Sequence, residues 1–206
     1  MYKLFLPICL FFTSSIHAQV DWELRKDKNG IQVYTRDTEA SDFNDIRVEL
    51  DLDGDMMMLR EILLDIEDYE NWVYGSGLAE LVEVINPNQV VYYSIFKAPW
   101  PASDRDFYAN LTIHVDTVLK SMDVESYVVK DYGPKRPDKV RIPRSTSQWI
   151  VTPISKGKIH LRYEVQLDPG GSIPSWIINL FSTSGPLSTF EGLKKKMREK
   201  SLNTTD

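Results

Sequence analysis

Residues 91–107 read Val-Tyr-Tyr-Ser-Ile-Phe-Lys-Ala-Pro-Trp-Pro-Ala-Ser-Asp-Arg-Asp-Phe. Proline has no backbone donor for a sheet ladder, so the Ala98-Pro99-Trp100-Pro101-Ala102 segment cannot continue a central strand. It is a rigid connection that ends one strand, Val90 to Phe96, and begins another at Arg105. From Arg105 to Val115 the chain alternates, with Phe107, Ala109, Leu111, Ile113 and Val115 on one face. So short a connection joins antiparallel neighbours. Arg105 and Asp106 are adjacent, so on a strand they point to opposite faces and cannot simply pair with each other. Arg105 stands beside carbonyls that the prolines leave without ladder partners. It is expected to anchor the connection through a carboxylate or those carbonyls.

Outward from this stretch the pattern remains mostly strand. Leu78 to Ile85 precedes it across Asn86-Pro87-Asn88, and Ser126 to Tyr132, Val140 to Ile154 and Lys158 to Leu167 follow it. In the last of these Ile159, Leu161, Tyr163, Val165 and Leu167 share a face. Towards the N-terminus, Trp22 to Lys28 and Ile31 to Arg36 flank Asn29-Gly30, a pair suited to a tight hairpin. Asp45 to Asp53 alternates between Ile46, Val48, Leu50, Leu52 and a polar face of Asp and Glu with Arg47. Asp55 to Tyr69 carries Leu59, Ile62, Leu63 and Ile66 at helical spacing, with Asp53 or Asp55 available as a cap. Asp168-Pro169-Gly170-Gly171-Ser172 ends the strands. A long helix is predicted from about Pro174 to Lys200, striped by Trp176, Ile177, Leu180, Phe181, Leu187, Phe190, Leu193 and Met197. Gly185-Pro186 is expected to kink it. Together these elements predict an α+β fold with a large curved antiparallel sheet and one long C-terminal helix.

The whole chain has 206 residues, 42% of them hydrophobic and 11% aromatic, enough for a sizeable core and for apolar side chains lining a cavity. Twenty-four basic against thirty acidic residues give a net charge of −6, which argues against nucleic acid as a partner. Met1-Tyr2-Lys3, the apolar run Leu4 to Phe12 and the small-residue exit Ser15-Ile16-His17-Ala18 have the layout of a secretory signal peptide cleaved after Ala18. The expected division is residues 1–18 as signal and 19–206 as one domain, periplasmic or secreted. Cleavage would remove Cys9, the only cysteine, and with it any thiol chemistry.

Several motifs are weighed and set aside. Asp51-Leu52-Asp53-Gly54-Asp55 has the wrong glycine position for a calcium loop, and Ile62 stands where the closing acid would be. His114 and His160 lie on polar strand faces without a partner histidine at metal spacing. Ser76 between Gly75 and Gly77 lacks the full nucleophile-elbow pattern. Lys194, Lys195, Lys196, Arg198 and Lys200 suit the helix C-terminus, with attraction to an anionic membrane surface as the alternative. No catalytic residue, metal ligand or cofactor site is expected.

The pattern Lys97-x-Pro99-Trp100-Pro101-x-x-x-Arg105-Asp106-Phe107 resembles the START (steroidogenic acute regulatory protein-related lipid transfer) domain family. In the same order stand Trp22 with Asn29-Gly30-Ile31-x-Val33-Tyr34, Asp68-Tyr69-x-x-Trp72, Trp149-x-x-Thr152-Pro153, and Tyr163-x-x-x-Leu167-Asp168-Pro169-Gly170-Gly171-x-Ile173-Pro174. The resemblance implies a helix-grip fold, in which the curved antiparallel sheet wraps around the C-terminal helix and encloses an apolar tunnel. It implies binding of a lipid or other hydrophobic molecule without catalysis. In-phase residues of two strands and the helix stripe then become the expected lining: Phe107, Leu111, Ile113, Leu161, Tyr163, Val165, Trp176, Leu180 and Phe181. Sterol-binding relatives carry a buried acid–arginine pair in the tunnel. Arg141 looks like that arginine, and Tyr92 stands where the acid would align.

The leading expectation is therefore a monomeric carrier of a hydrophobic ligand, making transient contact with a membrane surface. Two alternatives stay open at this point. Polyketide aromatases and cyclases belong to the wider superfamily, and Tyr92, Tyr163 and Arg141 would be the acid–base candidates. An envelope protein that senses a ligand or binds a partner would use the same tunnel.

Overall fold

In the computed structural model of the chain, residues 21–38 and 43–203 are described. The signal-peptide reading of residues 1–18 lies outside them. The ten strands among these residues are β1 (Glu23–Lys28), β2 (Ile31–Arg36), β3 (Asp45–Asp53), β4 (Ser76–Asn86), β5 (Gln89–Phe96), β6 (Arg105–Asp116), β7 (Ser121–Val128), β8 (Val140–Arg141), β9 (Arg144–Ser155) and β10 (Lys158–Asp168). They form one sheet in the order β1-β2-β3-β10-β9-β7-β6-β5-β4, antiparallel throughout except that β8 pairs parallel with β6.

Local chemistry sets the boundaries. Asn29 and Gly30 both take positive φ, 55° and 72°, at the β1–β2 turn, the geometry that an Asn-Gly hairpin supplies at little steric cost. Asp55, not Asp53, caps α1 (Met56–Leu64), accepting from the Met57 and Met58 amides at 2.9 Å each. Beyond Leu64 the predicted helix continues only as a tighter 3-10 segment, Ile66–Asn71. Pro143 divides the expected strand 140–154 into β8 and β9, because it cannot donate to a ladder. The Trp100–Pro101 peptide is cis, and Trp100 is exposed.

On β3 the apolar face is buried as expected, but Asp45 is buried too, at 4% exposure. It is held there by Arg36 at 2.6 Å and Gln166 at 3.1 Å. Hydrogen bonding of this kind lets a strand carry an acid inward.

The C-terminal helix is interrupted. α2 (Ser175–Asn179) passes into a wider π-turn over Leu180–Ser184 before α3 (Gly185–Asn203). Pro186 has no amide to give the preceding turn, so the break predicted at Gly185-Pro186 takes the form of this wide turn just before it. The hydroxyls of Ser182 and Thr183 bond back to the carbonyls of Ile178 and Asn179 at 2.8 and 2.7 Å.

α3 lies in the concave side of the sheet. Leu187, Phe190, Leu193 and Met197 are buried there with β2, β3, β9, β10 and α1 in the main core. The basic cluster clamps it. Lys196 pairs with Asp68 at 2.7 Å, Lys200 with Glu61 at 2.7 Å, Lys195 with Glu199 at 3.7 Å, and Lys194 donates to the Asn29 carbonyl. A second, smaller core of Tyr93, Ile95 and Tyr108, with Leu78 and Tyr132 against it, covers the convex face of β5 and β6.

Candidate functional site

Between the concave sheet and the lid formed by the π-turn and the start of α3 lies a cavity of about 300 Å³. Its position follows from strand phase. Tyr92, Ser94 and Phe96 on β5 alternate inward, as do Arg105, Phe107, Ala109 and Leu111 on β6. Ser147 and Trp149 on β9 and Tyr163 and Val165 on β10 close the far wall, while Tyr69, Trp72 and Tyr74 form the side. Phe181, Pro186, Thr189 and Phe190 cover it.

Edge-to-face aromatic contacts stiffen the walls. Tyr92 meets Tyr69 at 5.7 Å and Phe107 at 6.0 Å, and Trp149 meets Tyr163 at 4.8 Å. At the covered end the Phe96 and Phe181 rings lie 4.9 Å apart. The Tyr74 amide donates to the Thr189 hydroxyl at 3.0 Å, tying the side loop to α3.

Of the eleven residues expected at the ligand, Tyr92, Phe107, Leu111, Tyr163, Val165 and Phe181 line this cavity. Five do not. Ile113 and Leu161 are fully buried in the main core, one step along their strands past the cavity's end. Trp176 is 52% exposed on the outside of α2. Leu180 opens the π-turn but does not reach the lining, because the wide turn rotates Phe181 inward instead.

Arg141 lies on the other face of the sheet. It sits opposite Asp106 in the β8–β6 pairing and grips that carboxylate with two bonds of 2.9 Å each. Asp106 points away from the cavity because Arg105 and Phe107 point into it. Arg141 is thus the partner of the acid in the Arg105-Asp106 pair of neighbours, and it holds the 129–143 segment over the convex core. Its remaining donors reach the Tyr132 and Pro134 carbonyls.

The sequence reading did not include Trp72, Trp149 and Phe190 in the lining. Phe190 was in the helix stripe and Trp149 in a strand. The missing information was which turn of the helix and which register of β9 face the gap, and both depend on tertiary packing. Serines 94, 126, 145 and 147 add a polar stripe that a search for apolar phase passes over.

Electrostatically the cavity is unusual in one respect. Among the described residues Arg105 is the one charged group in its lining. Burial pushes the Tyr92 hydroxyl up to about 12, with the neighbouring Ser126 hydroxyl pulling weakly the other way, and raises Tyr163 still further. Both phenols are therefore neutral at physiological pH. Arg105 is 2% exposed and bonds the Ser103 and Gly170 carbonyls. It thus anchors the connection through backbone carbonyls. Among the described residues it forms no ion pair with a carboxylate. Elsewhere, His160 lies 2.9 Å from Asp51 on an exposed strand face, and no group of three metal-ligating side chains occurs among the described residues.

The START domain family model matches residues 9–202. The crystal structure of the STAR-related lipid transfer protein of Xanthomonas axonopodis superposes with a TM-score of 0.79 at 32% identity, covering 86% of this chain and 98% of that one. An uncharacterized protein of Pseudomonas aeruginosa is 28% identical over 84% of this chain and 85% of its own. The phosphatidylcholine transfer protein of mouse is 28% identical over 80% of this chain and 78% of its own.

Proposed function

The chain belongs to the START domain family, and from that premise we propose that it binds one hydrophobic molecule in the cavity under its C-terminal helix and carries it between membranes. The observation that supports this reading is the lining itself: a continuous wall of aromatic and aliphatic side chains relieved by a few hydroxyls and one guanidinium. Each methylene moved from water into such a wall gains about 0.8 kcal/mol, and the same methylene leaving a bilayer gives up about as much. Exchange between membrane and cavity is then nearly balanced. At about 300 Å³ the cavity is at the lower end of the roughly 300–1,000 Å³ usual for ligand pockets. It suits a single-chain or compact amphiphile, and a bulkier one requires the lid to move.

Binding fits better than catalysis here. Among the described residues the lining offers no carboxylate, imidazole, thiol or amine, and its three deep phenols, Tyr69, Tyr92 and Tyr163, are held neutral by burial, which leaves no general base there at pH 7. Export fits the first eighteen residues, whose charged start, apolar run and small-residue exit are those of a cleaved signal. Transient membrane contact by a monomer is part of the same reading.

One experiment tests the whole. Protein recovered from the envelope of the producing cell is examined by native mass spectrometry. The expected species begins at Gln19 and carries one hydrophobic small molecule. Leu111→Trp, which pushes an indole into the cavity, should leave a folded protein without that molecule. Where the same space is solid core, the substitution would instead cost about 1–3 kcal/mol of stability. Wild-type protein that never carries or takes up a ligand from vesicles, together with unfolding of Leu111→Trp, would sink the carrier reading.

A further inference from the structure

Among the described residues four buried side-chain polar atoms have no hydrogen-bond partner: Trp72 Nε1, Ser76 Oγ, Arg105 Nε and Arg162 Nε. Three of these four residues line the cavity. Indole and guanidinium nitrogens can only donate, and a hydroxyl can donate. Three residues of the cavity wall thus carry donors that no described group of the protein answers, and buried polar groups of this kind are normally answered.

Two of the three lie in one row of the sheet. Ser76 on β4 pairs with Phe96 on β5, and Phe96 pairs with Arg105 on β6. Directly paired residues share a face, so Ser76, Phe96 and Arg105 form one row, with Ser76 and Arg105 two strand spacings, about 10 Å, apart. Trp72 lies in the loop that leads into β4. The Phe96 ring packs on Phe181, which places the row directly under the lid.

Arg105 carries a charge that this end of the cavity does not neutralise. Of its two acidic neighbours in sequence, Asp106 is held by Arg141 on the other face, and Asp104 is taken by Lys97 at 2.9 Å and by the Ala98 amide at 3.1 Å and attracts the guanidinium only from a distance. Two backbone carbonyls satisfy part of the fork. A buried cation with neutral partners is costly unless an anion joins it, and a guanidinium stays charged at any physiological pH.

We propose that this row is an anion subsite, in which Arg105, assisted by Ser76 Oγ and Trp72 Nε1, takes the phosphate or carboxylate of an acidic amphiphile whose chain lies along Tyr92, Phe107 and Leu111. The inference rests on the carrier reading and narrows it: the ligand is acidic. Planar two-oxygen groups match the guanidinium fork, and charge-assisted bonds of this type are the strong ones.

The test uses phosphatidylcholine vesicles doped in turn with oleate, lysophosphatidic acid or mono-oleoylglycerol, three single-chain probes that differ in the head. After incubation the protein is separated and its bound lipid counted by native mass spectrometry. The wild type should retain lysophosphatidic acid and oleate over mono-oleoylglycerol by at least about tenfold, the worth of one charge-assisted bond. Arg105→Gln should bring that ratio towards one. Should this variant fail to fold, Ser76→Ala reads the same ratio and should lower it severalfold. Equal retention of the three probes, or a ratio unchanged by substitution, overturns the anion subsite and leaves the carrier reading standing. Retention of none of them removes both. Inorganic phosphate alone forms the last arm: stabilisation against heat equal to that by lysophosphatidic acid would mean a free-anion site and would overturn the amphiphile.

Discussion

Arg105 and Asp106 show how much one step along a strand decides. The two side chains leave the same backbone in opposite directions, one into the cavity and one into the convex core. That they face apart was legible in the sequence from alternation alone. Which of them faces the cavity was not, and Arg141, assigned to the tunnel by resemblance, belongs with Asp106 on the other side. Its pairing depends on a two-residue parallel contact, β8 with β6, that no periodicity reveals. The pair is also a stability element. Asp106 is 1% exposed and accepts from Arg141 and from the Tyr93 hydroxyl. Asp106→Asn keeps the shape but strands a guanidinium that is itself mostly covered, so a loss of about 3 kcal/mol is expected. Urea denaturation measures it. A change below about 0.5 kcal/mol, the scale of ordinary surface substitutions, would mean that the 129–143 segment is held by packing alone.

Elements were easier to read than their seams. β3 runs over the residues that alternation predicted, and the hairpin turn falls on Asn29-Gly30. The seams differ from the expected pattern at the β8–β9 break, which Pro143 makes locally, at the tightened turn after Leu64, and at the wide turn that Pro186 forces before Gly185. Gly192, in the middle of α3, is a case where element and packing pull apart. Helix propensity alone favours alanine there by about 1 kcal/mol. A Cβ at this position, however, would stand 2.5 Å from the Trp72 carbonyl oxygen and 3.1 Å from the Trp72 Cα, both backbone atoms. The helix must then move off the loop that carries a cavity residue. Gly192→Ala is expected to lower stability by about 1–3 kcal/mol, as overpacking does. A raised melting temperature would show that the loop gives way freely and that propensity decides.

For the molecule as a whole, the question is how a ligand reaches the space under the last helix. A curved sheet cannot part without breaking its ladder, and the last helix is the more movable wall. The structure divides the length of the C-terminal helix unequally. The far half of α3 is fixed: Leu193 and Met197 are fully buried, and Lys196 and Lys200 are paired to the 3-10 segment and α1. The near part is looser, since none of the residues 180–184 is fully buried. It is preceded by Gly170 and Gly171, both at positive φ, where large dihedral changes are cheap. The wide turn is then the piece expected to move, while α2 before it is held by the fully buried Ile177. A Cβ on Gly185 would lie 3.1 Å from Tyr74 Cδ1, and the Gly185 φ of −61° accepts a side chain. Cysteines replacing Tyr74 and Gly185 would have their Cβ atoms within about 6 Å, so a disulfide fastening the turn to the side loop needs at most a small approach. Cys9 is the only other cysteine, and the expected export removes it. Oxidised Tyr74→Cys/Gly185→Cys protein should move lipid between vesicles at least about tenfold more slowly than its reduced form, as gating by a lid requires. Equal rates in the two states, with the bond confirmed by mass, would place the entrance elsewhere.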